Sequence, residues 1–372
     1  MVGLVRGCLV LVLAAVVSFS VQAQADGLPL LDRPRATGVI YSEVTGSGRV
    51  HTDQAWASLL RAGMDSYELA FAWDELEDAD GDRNFTGLIE LLDTIDQAGL
   101  GTYLSLKTID TTVLRLPARF VDPGDPTRLR DGYSFDSPEI VDSIATLMLE
   151  LAPVLADRGC FYISIGNEVD TWLAANPAEA FPFAVFAEHA RIATHIVEPD
   201  LAVGVTLTRE ALVDSEIVQL MASVSDAPAL TYYPVVDGVV LPTSVFASDL
   251  DLFEALIGGK QYLLQEAGCP SGELGGVLKT SQSLQRAWVR TVFTEIRRRP
   301  RARFVSWLHL ADWSDATLDH FLDYYDHDSA AFREFLGTLG VMTDQGESKL
   351  ALNELIRQVR ATSNLGTLRR SP

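Results

Sequence analysis

Short apolar or β-branched runs alternate along the chain with longer stretches in which apolar residues return every three or four positions. The runs are Thr37–Glu43, Ser66–Ala72, Thr102–Lys107, Phe161–Asn167, Ala202–Thr208, Ala229–Tyr233, Gln261–Glu266 and Arg303–His309, and they predict strands. The stretches Phe85–Gln97, Pro138–Ala156, Pro177–Val197, Ser215–Ser223, Ser244–Leu256 and Ser281–Arg298 predict helices. The second shows why. Ser137 can cap, Pro138 suits the first helical position, and Glu139 complements the helix dipole. Ile140, Ile144, Leu147, Leu149 and Leu151 then follow at roughly helical spacing. Strand–helix alternation predicts a parallel sheet, and eight such units predict an α/β chain closed into a single (β/α)8 TIM barrel. No Pro- or Ser-rich linker and no repeat longer than the βα unit divides the chain.

The two ends read differently. Arg6, an apolar stretch from Cys8 to Val21 and the small-x-small triplet Ala23-Gln24-Ala25 predict an export signal over residues 1–25. The apolar stretch is shorter than the about 20 residues a membrane span needs. Residues 26–361 are then the barrel, free of the membrane after cleavage, in a secreted or periplasmic protein. Residues 362–372 read as a loose tail. Cys160 at the start of strand 4 and Cys269 past the end of strand 7 lie too far apart for a disulfide. The longest irregular stretches, Thr108–Asp136 and Leu310–Gly340, follow strands 3 and 8, at the barrel end where active sites form.

Composition narrows the partners. The chain of 372 residues has a formal net charge of −22. That excludes nucleic acid and anionic membrane surfaces, which reward Lys and Arg, and favours a neutral ligand. Gly46-Ser47-Gly48-Arg49 lacks the third glycine of a dinucleotide loop, so no cofactor is expected. No metal is assigned either. The acidic cluster Asp319, His320, Asp323, Asp326, His327 and Asp328 reads as a solvated loop or as a Ca²⁺ site.

Two strands end in a carboxylate: strand 4 at Gly166-Asn167-Glu168 and strand 7 at Glu266. On opposite sides of a barrel mouth, Glu168 and Glu266 can face each other across a ligand, as glycoside hydrolysis requires. Aromatic rings suit the apolar faces of sugars. Trp307 on strand 8 is the leading candidate. Trp73, Trp172 and Trp313 follow strands 2, 4 and 8, where they either line subsites or pack loops. His309 ends strand 8 as a hydroxyl ligand or a structural histidine. Lys107 at the end of strand 3 would suit a Schiff base in a lyase or aldolase.

Together, Gly166-Asn167-Glu168, Glu266 and Trp307 resemble the retaining β-glycosidases of glycoside hydrolase clan A. So do the segment from Trp73 to Phe85 and the turn Gly340–Lys349, so the resemblance spans roughly Thr37 to Arg360. It implies Glu168 as acid/base, Glu266 as nucleophile and Asn167 as ligand of the sugar 2-hydroxyl. It also implies Tyr233 as a hydrogen-bond donor to the nucleophile, the alternative being a core tyrosine. Tyr232-Tyr233-Pro234 and Glu266–Pro270 resemble the arabinogalactan endo-β-1,4-galactanases, with Cys269 where a tryptophan is usual. The implied function is an exported retaining glycoside hydrolase acting on β-linked neutral poly- or oligosaccharides. An inactive, carbohydrate-binding barrel is the alternative.

Overall fold

The structure, a computed structural model, describes residues 36–41, 48–272 and 276–368. The expected export signal lies outside them. Eight parallel strands form the inner layer: β1 (Ala36–Val39), β2 (Ser66–Ala72), β3 (Gly101–Asp110), β4 (Cys160–Asn167), β5 (Ala202–Gly204 and Thr206–Thr208), β6 (Ala229–Tyr232), β7 (Tyr262–Ala267) and β8 (Ala302–Trp307). One ladder runs β2–β3–β4–β5 and the other β5–β6–β7–β8–β1. The two halves of β5 take different neighbours, so Val205 is where the sheet turns the corner. At the other seam Asp65 N–H donates to the Thr37 carbonyl at 3.3 Å, and Thr37 N–H to Asp65 Oδ1 at 2.9 Å.

Twelve helices are described: α1 (Gly48–Ala62), α2 (Trp73–Leu76), α3 (Thr86–Gln97), α4 (Pro138–Ala156), α5 (Val169–Ala175), α6 (Ala180–Val197), α7 (Ser215–Ser223), α8 (Val245–Leu256), α9 (Gln282–Arg298), α10 (Asp315–Tyr324), α11 (Ala330–Gly337) and α12 (Leu350–Leu368). Most coat the barrel with apolar stripes. In α9 the Ser281 hydroxyl accepts from Leu284 N–H, and Trp288, Val289, Val292, Phe293 and Ile296 form the buried face. The final helix runs on to Leu368, so the expected loose tail is helical as far as it is described, and Thr362 is buried. The stretches expected to be irregular also carry structure. Thr108–Asp136 contains the hairpin strands Val121–Asp122 and Asp125–Leu129. Leu310–Gly340 contains α10 and α11.

Strand alternation divides the core in two. Outward positions such as Ile163, Ile165, Leu264 and Val305 pack under the helices. Inward positions Tyr103, Tyr162, Leu263 and Phe304 fill the barrel, with Tyr103 stacked on Phe304 at 5.2 Å. Above this apolar plug lies a polar layer. Tyr103 OH donates to Gln265 Oε1 at 2.7 Å, and Thr206, which also hydrogen-bonds Ser164, donates to the same oxygen. Tyr103, Ser164, Thr206 and Gln265 satisfy one another there, as burial demands. They form a rigid floor for the mouth. Cys160 and Cys269 are buried and not bonded to each other.

Candidate active site

Strand β4 ends in a forced turn. Gly166 has φ +90°, and a Cβ there would meet Val169 Cγ1 at 2.5 Å. Only glycine is comfortable in that place. Glu168 follows with φ 53°, left-handed for a residue with a side chain. The turn swings Asn167 and Glu168 into the mouth. The Glu168 carboxylate accepts Thr111 Oγ1 and Thr231 Oγ1, each at 2.7 Å. Burial, then the nearby Glu266 charge, pushes its pKa up to about 8 against those two hydrogen bonds.

Glu266 arrives through a strand irregularity. Regular alternation would send it outward with Tyr262 and Leu264. Register shifts occur between Leu264 and Ala267 against β8, and between Leu230 and Thr231 on β6. Such shifts re-aim side chains. Gln265 and Glu266 thus both serve the mouth. Tyr233 OH donates to Glu266 Oε2, and Gln265 Nε2 approaches Oε1 at 3.4 Å. Burial raises the Glu266 pKa, while the Tyr233 hydrogen bond and the Lys107 charge pull it back.

Asn167 is held from both sides. Its Nδ2 donates to Asp110 Oδ1 at 3.1 Å, and its Oδ1 accepts Gln265 Nε2 at 2.9 Å. Asp110 Oδ2 accepts Lys107 Nζ and Tyr324 OH, both at 2.9 Å. The Lys107 pKa is raised; burial opposes this, and the Asp110 charge and hydrogen bond outweigh it. A cationic lysine is a poor Schiff-base nucleophile.

The sequence reading missed Asp110, Gln265, Thr111, Thr231 and Tyr324. It also missed Glu68, an inward residue of β2 that lines the same cleft. Glu68 is 5% exposed, and its Oε2 meets no hydrogen-bonding group among the described residues. Burial, then the Glu266 charge, pushes its pKa well up. The folded chain therefore favours the protonated form of Glu68 more than the unfolded chain does. Wild-type stability should therefore fall, relative to Glu68→Gln, as pH rises above the ordinary carboxyl range. Urea unfolding of both proteins at about pH 4 and about pH 7 checks this. A pH-independent difference would place an ionised Glu68 in the fold.

The cleft is about 880 Å³, lined among others by Glu68, Lys107, Asn167, Glu168, Tyr233 and Glu266. Four expected ligands do not line it. Trp307 is fully buried and shares the outward face of β8 with Val305. Leu308, one position on, lines the cleft instead. Trp73 packs on Phe120 and Phe186, its Nε1 donating to Glu77 at 3.3 Å. Trp172 Nε1 donates to the Thr127 carbonyl at 2.7 Å. His309 is buried and stacked on Trp313 at 4.9 Å, and burial pushes its pKa down to about 3. Trp313 is the tryptophan that lines the cleft. Trp307→Ala should therefore cost about 3–5 kcal/mol of stability in chemical unfolding. Among the described residues, no three or more His, Cys, Asp or Glu side chains come together to hold a metal ion. Asp319, expected in an acidic loop, lies on α10 and pairs with Arg333.

Solved structures share this architecture. A GH5_18 variant from Bifidobacterium longum subsp. longum, in complex with Manb1-4GlcNAc, is 16% identical over 91% of this chain and 79% of that one, with a TM-score of 0.63. An exo-beta-1,4-mannosidase from Opitutaceae bacterium strain TAV5 is 15% identical over 92% of this chain and 62% of that one, with a TM-score of 0.67. A fungal beta-1,4-galactanase structure is 15% identical over 87% and 99%, with a TM-score of 0.59. The fold is the barrel of these glycoside hydrolases. The clan resemblance read from the motifs and the fold thus point the same way, with mannosidases and galactanases both among the neighbours. No protein-family model and no curated protein matches the chain.

Proposed function

We propose that the chain is an exported, retaining glycoside hydrolase that cleaves β-linked neutral sugars by double displacement. The observation that carries this is a pair of half-buried carboxyls, one at the end of β4 and one on β7, lining one cleft with different partners. Glu266 attacks the anomeric carbon while Glu168 gives its proton to the leaving oxygen. A glycosyl ester forms as the glycosidic bond breaks. Water then attacks the same carbon, Glu168 takes the water's proton, and Glu266 leaves.

The environments suit the roles. Glu168, raised to about 8, holds a proton at neutral pH. Tyr233 and Lys107 favour the ionised form of Glu266. Asn167 has one amide N–H committed to Asp110, which leaves the other for the sugar 2-hydroxyl. The segment Leu310–Gly340 walls the cleft without filling it, which supports a working site over a plugged, binding-only barrel. Export rests on the sequence of residues 1–25, and a secreted chain beginning at Asp26 would support it.

The test is sugar release by residues 26–372 from β-galactans, β-glucans, β-mannans and aryl β-glycosides, with the product anomer followed by NMR. Release of the retained anomer is expected. An inverted product would exclude double displacement, and no release from the whole panel would exclude the glycosidase reading.

A further inference from the structure

The cleft is chemically two-sided. Its floor carries the hydroxyl-binding groups: Asn167, Lys107 and Glu68 beside the two acids. Its outer wall is mostly aromatic and aliphatic surface, with His327 and Ser329 as polar members. From Tyr233, which donates to Glu266, rings follow in contact: Phe335 at 5.3 Å, Phe332, Tyr325, Phe321 and then Trp313. The last five are half-buried, so part of each ring is open. Val235, Leu278, Leu336 and Leu339 complete this side. Aromatic faces can stack a sugar, but aliphatic side chains neither stack nor hydrogen-bond it. Burying hydroxyls against them costs free energy, whereas burying hydrocarbon there is favourable.

Val236 and Val239, on the hairpin after β6, are 41% and 38% exposed, and Val277, after β7, is 49% exposed. Val239 bridges to Lys279, which joins the hairpin to the segment after β7.

We infer that the substrate is an amphiphilic β-glycoside, with a neutral sugar on the polar floor and an apolar alcohol as leaving group along the aromatic and aliphatic wall. This rests on the glycosidase reading, and it names the leaving-group class. The net charge of −22 disfavours anionic amphiphiles, so the sugar is uncharged.

The experiment uses methyl, butyl, hexyl and octyl β-glucosides, β-galactosides and β-mannosides below their micellar concentrations, with the matching β-1,4-linked disaccharides. For the sugar that is cleaved, kcat/KM should climb at least about tenfold from methyl to octyl. Phe332→Ser and, separately, Phe321→Ser should flatten that slope, with thermal melting showing that each still folds. A kcat/KM independent of chain length, with disaccharides preferred, would overturn the inference. If no compound is cleaved, the glycosidase reading falls, and calorimetric binding of the same series to Glu266→Ala decides this one. Binding that tightens with chain length supports the apolar subsite, and length-independent or absent binding overturns it.

Discussion

Glu266→Ala is expected to lower kcat by at least about 10⁴-fold on any substrate the wild type cleaves. The reason is the loss of the covalent route. Without the carboxylate, no glycosyl ester forms, and the barrier returns toward that of direct attack by water. Tyr233 and Lys107 remain, but neither can replace a nucleophile held on a rigid strand. Stability should change far less than activity. The half-buried Glu266 is itself costly to desolvate, so its removal relieves that cost while leaving the Tyr233 hydroxyl without an acceptor. The second effect costs about 1–3 kcal/mol. Steady-state kinetics with a parallel thermal melt separate the two. A folded variant that keeps more than about 1% of wild-type kcat would remove Glu266 from the nucleophile role.

The second large effect concerns pH and Glu168. Its acid form must be present for the leaving oxygen to be protonated. With the pKa raised to about 8, that form dominates below about 8 and is lost as pH rises through it. Glu266 must be ionised, and its own raised pKa places the acidic limb above the usual carboxylate range. A bell-shaped kcat/KM profile with its alkaline limb near 8 is the expected result. Because the two carboxyls interact, the limbs belong to the pair. Glu168→Gln should lower kcat/KM by about 10²–10⁴-fold on alkyl glycosides and much less on nitrophenyl glycosides, whose leaving group needs no proton. It should also erase the alkaline limb. Equal losses on both substrate types would exclude Glu168 as the acid.

Much of the barrel was legible because strand and helix periods are local properties. Ser66–Ala72, Pro138–Ala156 and Ser215–Ser223 have the same bounds in the sequence reading and in the structure. The two acids were legible for a related reason, since a carboxylate that closes an apolar run must sit at a strand end. The rest of the site was not. Glu68 lies within its strand, with nothing nearby to distinguish it from a half-exposed glutamate. Tyr324 reaches Asp110 from a helix far along the chain. Helices α10 and α11 were hidden in a stretch whose apolar residues face a cleft as well as a core, which blurs their period.

Trp307 and Glu266 show where local reading ends. Both stand at strand ends, and both would face outward by alternation. Trp307 does so, and packs under the helices. Glu266 does not, because the ladders on either side of β7 slip register beside it. The sequence by itself determined the order and number of the barrel strands and the strand ends that carry acids, because these follow from the 2.0 and 3.6 periods and the residues that interrupt them. Only the tertiary structure decided which side chains enter the cleft, and that its outer wall is mostly aromatic and aliphatic. Those outcomes depend on strand register and on segments meeting across the barrel, which a local pattern does not contain.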